Sequence, residues 1–449
     1  MIRSLTLLFA ILLSVCPASA VSPETWRQSD FADFEKATLK NVALRSDGRL
    51  SLAPVFTELL DSSTPYLWAL AEDSKGNVYA GGGGPGTPGA RVFVISPDGK
   101  SRVLAEFDAL EVHALAVDRN DRLYAATSPD AKVYRIAVDG KSEMFYDPAA
   151  KYVWAMAFDA KGNLYVATGD QGLVHRVTPD GKGAVFYRTE ENHARALAVD
   201  GQGNLIVGTE PDGLVVRVSP SGQGFVLFET PKREVTAVAV APSGMIYAAG
   251  VGSKLPAVAP AAPLITPAAP VAPAAAAPAQ PVPAAPPPPS LAPPAQTLLA
   301  GGSEVYRIEP DGYARKIWTQ AQDIVYSLAV DAQNRPLIGT GNKGSIYRVD
   351  SDALYTVLVK SSPTQVTSLL AGRQGRILAA TGNIGKVFSL GPSLEKEGSV
   401  ESDVFDADLF SLWGRLGYTG TPGGGSLRFE TRSGNLDRPR QDWSPWAAV

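Results

Sequence analysis

Apolar residues along this chain come in short runs, and every run stops at a turn. Residues 152–181, YVWAMAFDAKGNLYVATGDQGLVHRVTPDG, show the pattern. Val153–Phe158 reads as a strand, DAKGN as a tight turn and Leu164–Ala167 as a second strand. TGDQG reads as a Gly-containing loop and Leu173–Val177 as a third strand. Pro179-Asp180-Gly181 then turns toward a fourth strand, Gly183–Tyr187. Asp-Gly and Gly-Asn between apolar runs are turn signals because Gly and Asn tolerate positive φ.

The unit recurs. The apolar residue within x-Ala-Leu-Ala-x-Asp falls at Leu70, Leu115, Met156, Leu197, Val238, Leu328 and Leu369. The spacings are 45, 41, 41, 41, 90 and 41, the long one being a period plus 49 inserted residues. The turn after the first strand reads DSKGN, DRNDR, DAKGN, DGQGN, APSGM, DAQNR and GRQGR. The third strand reads RVFVI, KVYRI, LVHRV, LVVRV, EVYRI, SIYRV and KVFSL. A four-stranded unit of about 41 residues, repeated seven times, predicts an all-β fold: a seven-bladed β-propeller of four-stranded blades. One blade cannot bury both of its faces, so neighbouring blades must, and closing the ring removes the exposed end blade.

The phrases D-x-x-G-N-L-Y, K-V-Y-R-I and P-D-G resemble exported bacterial propellers of the NHL/YVTN branch, which are WD-repeat-like. The resemblance covers Tyr66 to Leu390 and lacks the G-H and W-D dipeptides of the eukaryotic WD repeat. It implies a fold and leaves activity open, because such propellers do unrelated jobs.

The propeller is expected over residues 34–398. Residues 34–60 read as a hairpin around Ser46-Asp47-Gly48, one strand of which is expected to complete the last blade. Ser399–Phe405 competes for that place. Residues 253–297 break the composition: 15 of the 36 prolines lie there, and no charge occurs from Leu255 to Ser303. Proline removes donors and favours extended backbone, so a disordered Pro/Ala-rich loop is expected within the fifth blade. It reads as a tolerated surface insertion, with a proline-rich docking segment as the alternative. Residues 399–449 are expected to form a partial β-rich C-terminal module. Their phrases S-x-W-G-R-L, T-R-S-G-N and W-S-x-W resemble the opening of a β-sandwich that follows some exported propellers. The stretch is too short for a sandwich on its own.

Residues 1–20, MIRSLTLLFAILLSVCPASA, read as a secretory signal peptide with a small-x-small cleavage site at Ala18-Ser19-Ala20. The mature chain is then expected to be periplasmic or secreted, monomeric and without a transmembrane helix. Cys16 is the single cysteine, so no disulfide or cysteine metal site is expected in the mature chain. Val15 and Pro17 beside Cys16 fit lipidation poorly. The composition, 45% hydrophobic and 19% charged with net charge −4, is globular and carries no basic footprint for nucleic acid.

Propellers place ligands at one mouth of the central channel, where the innermost strands begin. The positions there vary while the strands around them stay monotonous, which marks loop-borne function. One column holds Trp68, His113, Trp154, Arg195, Thr236, Tyr326 and Thr367. Two residues earlier lie Tyr66, Glu111, Tyr152, His193, Glu234, Ile324 and Gln365. The candidate ligand-binding set is Tyr66, Trp68, Glu111, His113, Tyr152, Trp154, His193, Arg195, Glu234 and Tyr326. Tyr and Trp offer flat apolar surface with a polar handle, which suits a sugar ring or a peptide. The alternative is that these aromatics pack the ends of neighbouring blades. No catalytic residue, metal or cofactor is expected. Glu111, His113 and His193 are the set that could hold a metal, and a metal needs three or four convergent ligands. His175, in a Tyr column, reads as a packed strand residue, and Gly81–Gly89 as a flexible loop.

The favoured function is an exported, non-enzymatic binding or scaffold propeller for a glycan, peptide or protein. One alternative resembles the gluconolactonase and virginiamycin-lyase propellers, with Glu111, His113, His193 and Glu234 as working groups and a His as general base. A third reading is a structural protein of the cell envelope.

Overall fold

Five of the innermost strands end where a carboxylate closes the turn. Asp159 Oδ1 accepts from the backbone N–H of Lys161 at 2.8 Å and of Asn163 at 2.9 Å, while Oδ2 takes Asn163 Nδ2 at 2.8 Å. Asp73 and Asp200 do the same with Asn77 and Asn204. Asp118 and Asp331 use the side chains of Arg122 and Arg335 instead. The third residue after the Asp is left-handed. Gly76, Gly162 and Gly203 sit there at φ 85°, 83° and 80°, and Asp121 and Asn334 at 60° and 62°. Asn and Asp are the non-glycine residues that reach this region most readily.

The computed structural model describes residues 25–86, 89–254, 301–408, 411–436, 439 and 442–449. The expected signal peptide and residues 255–297 of the Pro/Ala-rich stretch lie outside them. Among the described residues, no helix is long and apolar enough to cross a membrane. Among the described residues the pairings give seven groups of four strands. Their innermost strands are Tyr66–Glu72, Glu111–Val117, Tyr152–Phe158, His193–Val199, Lys232–Val240, Val325–Val330 and Gln365–Ala371. They begin blades one to seven in that order. Within each blade the strands pair antiparallel with their neighbours, as in Tyr152–Phe158, Leu164–Gly169, Leu173–Val177 and Gly183–Arg188. Each innermost strand packs against the next, and the last, Gln365–Ala371, against the first. The fold is a closed β-propeller.

The N-terminal run closes the ring. Pro54–Asp61 pairs with Lys386–Leu394 as the outer strand of blade seven, and skips Leu59 in the pairing. Blades one to six skip one residue of the fourth strand in the same way, for example Phe186 in blade three and Leu227 in blade four. Pro54–Asp61 is therefore a true fourth strand by register as well as by place. The hairpin around Asp47 has another role from the one expected. Val42–Arg45 and Leu50–Leu52 pair with each other, and Val42–Arg45 adds to the outer strand of blade six, Leu354–Lys360. The competing segment at 399–405 forms a short strand, Ser399–Glu401, which pairs with Thr38–Lys40.

The second strands carry the core. Val78–Gly83, Leu123–Ser128, Leu164–Gly169 and Ile377–Gly382 are buried at every residue. Strands buried on both faces read as continuous apolar runs rather than alternations. Gly81–Gly83 belongs to one of these strands and not to the loop the glycine run implied. A Cβ at Gly82 or Gly83 would collide with the backbone of Tyr66 or Leu110, so glycine admits the close approach.

Asp30–Glu401 forms one compact unit. The remaining described residues form a second. In it, Trp26 stacks on Phe405 at 5.2 Å, Glu430–Thr431 pairs with Ala447–Ala448, and Arg432 sits 4.4 Å from the Trp446 ring centroid.

Candidate functional site at the channel mouth

One residue in each innermost strand is skipped by the pairing. In blade one, Leu67 and Ala69 oppose Gly82 and Gly81, leaving Trp68 as the extra residue. His113, Trp154, Arg195, Thr236, Tyr326 and Thr367 are skipped in the other six blades. A bulge bends the strand and re-aims the side chain it frees. The variable column of the sequence is thus a column of β-bulges. Nothing in the pattern of apolar residues announced it.

The bulge residues reach from blade to blade. Trp68 Nε1 donates to Glu111 of blade two, and Trp154 Nε1 donates to His193 Nδ1 of blade four at 3.1 Å. Arg195 Nε donates to Glu234 of blade five. The donor is the bulge residue in all three, and the acceptor is the residue two before the next bulge. Elsewhere hydroxyls serve: Thr236 Oγ1 donates to the Val325 carbonyl at 2.7 Å, and Thr367 Oγ1 to the Leu67 carbonyl. Ser327, beside the bulge of blade six, reaches the Val366 carbonyl at 3.4 Å. Between blades two and three the link is apolar, with the His113 and Trp154 rings 4.9 Å apart.

All ten candidate residues lie on these strand beginnings, and the structure divides their labour. Trp68 stacks on Tyr66 at 5.2 Å and meets the edge of His113 at 5.1 Å. Trp154 stacks on Tyr152 at 5.0 Å, carries the Arg195 guanidinium 3.9 Å from its ring centroid and touches both His113 and His193. Both indoles are occupied by protein. The part of the aromatic reading that made the tryptophans packing residues is the part the geometry favours for Trp154. Tyr66, Tyr152 and Tyr326 are half-buried, the first two against the indoles. The Tyr66 hydroxyl donates to Asn383 Oδ1 at 3.0 Å.

Three glycines make room for these rings. A Cβ at Gly169 would press on Trp154 Nε1 and lie 2.7 Å from His193 Nδ1. At Gly341 it would lie 2.6 Å from Tyr326, and at Gly382 2.7 Å from Tyr66. All three follow a threonine at the end of a second strand, in the phrases ATGD, GTGN and ATGN. That Thr-Gly column was the available sequence signal, and reading it as loop punctuation missed it. Gln365 Oε1 was also outside the candidate set; it is buried at the mouth without a hydrogen-bond partner.

The electrostatics separate the acid/base candidates. Burial lowers the His113 pKa to about 3, helped by the Arg195 charge, so the imidazole is neutral. Its Nδ1 lies 3.5 Å from Glu111 Oε1, close enough for an ion pair in distance, but burial dominates and no hydrogen bond forms. Burial raises the Glu111 pKa against the pull of the Trp68 hydrogen bond. Burial also lowers the His193 pKa. Trp154 stands between the two histidines. Among the described residues, no three His, Cys, Asp or Glu side chains are grouped as a metal site requires. His175 is a packed residue at 4% exposure, its Nδ1 hydrogen-bonded to the Tyr146 hydroxyl at 2.9 Å.

No family model and no curated protein matches this chain. Solved structures do. The chain is similar to a streptogramin B lyase structure with a TM-score of 0.55 at 11% identity, over 76% of this chain and 98% of that one. It is similar to the WD40 β-propeller domain of Doa1 (0.52, 10% identity, 76% and 98%) and to YCF48 bound to D1 peptide (0.53, 11%, 77% and 98%). At these identities the likeness is one of fold.

Proposed function

We propose that this protein binds a ligand at the bulge-lined mouth and does not transform it. What supports the reading is the fate of the titratable groups. Glu111, His193 and Glu234 are each engaged by a bulge side chain of the preceding blade, and an indole separates the two histidines. General acid/base work needs a group within hydrogen-bond reach of substrate and free to exchange its proton. The rim instead offers half-buried tyrosines set on rigid strands, a surface for a glycan, a peptide or a protein segment. The NHL/YVTN branch, suggested by the repeated phrases, and export to the periplasm or medium, suggested by residues 1–20, belong to the same proposal. So does the C-terminal β-sandwich beginning, suggested by S-x-W-G-R-L and W-S-x-W.

The second reading is a lyase- or lactonase-like enzyme, which the 3.5 Å approach of His113 Nδ1 to Glu111 Oε1 favours. A glycan and peptide array probed with the full-length protein separates the two. We expect a bound class whose affinity falls at least tenfold in Tyr152→Ala with the ligand recovered unchanged. Turnover of the bound compound, abolished in Glu111→Gln, would instead establish the enzyme.

A further inference from the structure

Arg195 is held more firmly than a surface arginine. It occupies the bulge of blade four, its Nε is tied to Glu234, and its carbon Cζ lies 3.9 Å from the Trp154 ring centroid. Its side chain is 25% exposed and that of Glu234 11%. Among the described residues, no further hydrogen bond is made by the guanidinium, so both terminal amino groups keep their donors. A guanidinium fixed in this way loses little freedom when a ligand arrives, and its planar edge matches a carboxylate in two parallel hydrogen bonds.

The neighbours decide the sign of what it can hold. Burial keeps His113 neutral and lowers the His193 pKa, which disfavours a competing cation at either ring. Glu234 is satisfied through Nε, and Glu210 is paired with Arg233 at 3.1 Å. A second cation stands on the same sector, where exposed Lys151 places Nζ 5.3 Å from the Tyr152 ring centroid. Lys151 thus lies near Tyr152 and Arg195 against Trp154, the two rings of the stacked pair. Glu111 works against an anion from the neighbouring blade.

We infer that the mouth takes a carboxylate-bearing ligand, its carboxylate on the free edge of Arg195 and its body on Tyr152. The inference rests on the mouth being a binding site. The same carboxylate chemistry could come from an acidic sugar or from the C-terminus of a peptide, so both are tested.

Isothermal titration of the full-length protein would use trigalacturonate beside its methyl ester, and a Tyr-terminated tripeptide beside its amide. We expect one acid to bind at least tenfold more tightly than its neutral partner, and which acid does so identifies the source. Arg195→Lys, which keeps charge but not the fork, should lose most of that preference. The double variant Arg195→Gln with Glu234→Gln, which strands no carboxylate, should lose all of it while circular dichroism shows an intact sheet. Glu111→Gln should tighten the acid. If acid and neutral partner bind equally and both are lost in Tyr152→Ala, the mouth binds but the carboxylate assignment fails. If none of the four probes binds, the carboxylate assignment is overturned; the array result for Tyr152→Ala then judges the mouth separately.

Discussion

The two ends of the innermost strands solve one problem in different ways. At the turn end, five of the seven blades close with an Asp that accepts from backbone N–H groups two and four residues on in its own blade, with only scattered links to the next blade such as Ser74 to Asp121. At the mouth, bulge residues reach out of their blades, and the seven positions hold five residue types, with Trp and Thr each used twice. The turn end repeats because the donors to its Asp are local backbone N–H groups, which every blade supplies alike. The mouth varies because its acceptor belongs to the next blade, and any complementary pair will do: indole with carboxylate, indole with imidazole, guanidinium with carboxylate. Variation at the mouth is therefore partly structural. This tempers the rule that variable positions on a regular scaffold are the functional ones.

The sharpest break in this contrast is Trp154→Ala. If the mouth were ligand surface alone, truncation would leave stability unchanged. The ring instead touches Tyr152, His113, His193 and Arg195 across three blades. We expect a loss of about 3 kcal/mol, the low end for large aromatic truncations because Trp154 is not fully buried. Urea denaturation measures it, and a midpoint within error of the parent would return the mouth to a purely functional role.

Asp73→Ala tests the other end and should cost about 2 kcal/mol, the range for removing hydrogen bonds to a charged group. Asp73 is 4% exposed and also accepts from the Tyr79 hydroxyl at 3.1 Å. The damage should stay local. Amide exchange should quicken in the turn 73–77 and leave blades three to five protected, whereas Trp154→Ala should loosen blades two to four together. Equal spreading from both sites would erase the distinction between in-blade and between-blade bonding.

Architecture was legible because it is written in repetition. The marker leucines, the Asp turns and the third-strand phrases agree at one period, and no single substitution such as His175 for Tyr disturbs them. The residues of the mouth were legible as a column and their contacts were not. A donor–acceptor pair such as Arg195 with Glu234 is 39 positions apart, and no local pattern links the two. The outer strand of blade seven was half legible. Both ends of the chain offered a strand, and pairing with Lys386–Leu394, a long-range event, chose Pro54–Asp61. The hairpin around Asp47 was legible, but its place on blade six had no sequence signal, since an extra outer strand needs only an open edge.

The mouth also carries an expense that the turn end lacks, and pH exposes it. His113 has a folded pKa of about 3 against an ordinary value of 6.5, with burial as the main cause and Arg195 as the second. The groups that face it are Glu111 at 3.5 Å, the two indoles and Arg195. Because the folded value is depressed, the unfolded chain binds the extra proton first as pH falls. The contribution of His113 is whole above about pH 6.5 and drains away as acidity rises toward pH 3. Between pH 7 and pH 5 the loss should be about 2 kcal/mol. His175 and His193 move in the same direction, so the parent alone cannot assign the slope. His113→Phe keeps a flat ring between the indoles and removes the proton site. The difference in unfolding free energy between parent and His113→Phe should therefore shrink or change sign by that amount from pH 7 to pH 5. A difference that stays constant over this range would mean that His113 is solvated, and that the wedge between Trp68 and Trp154 is open to water.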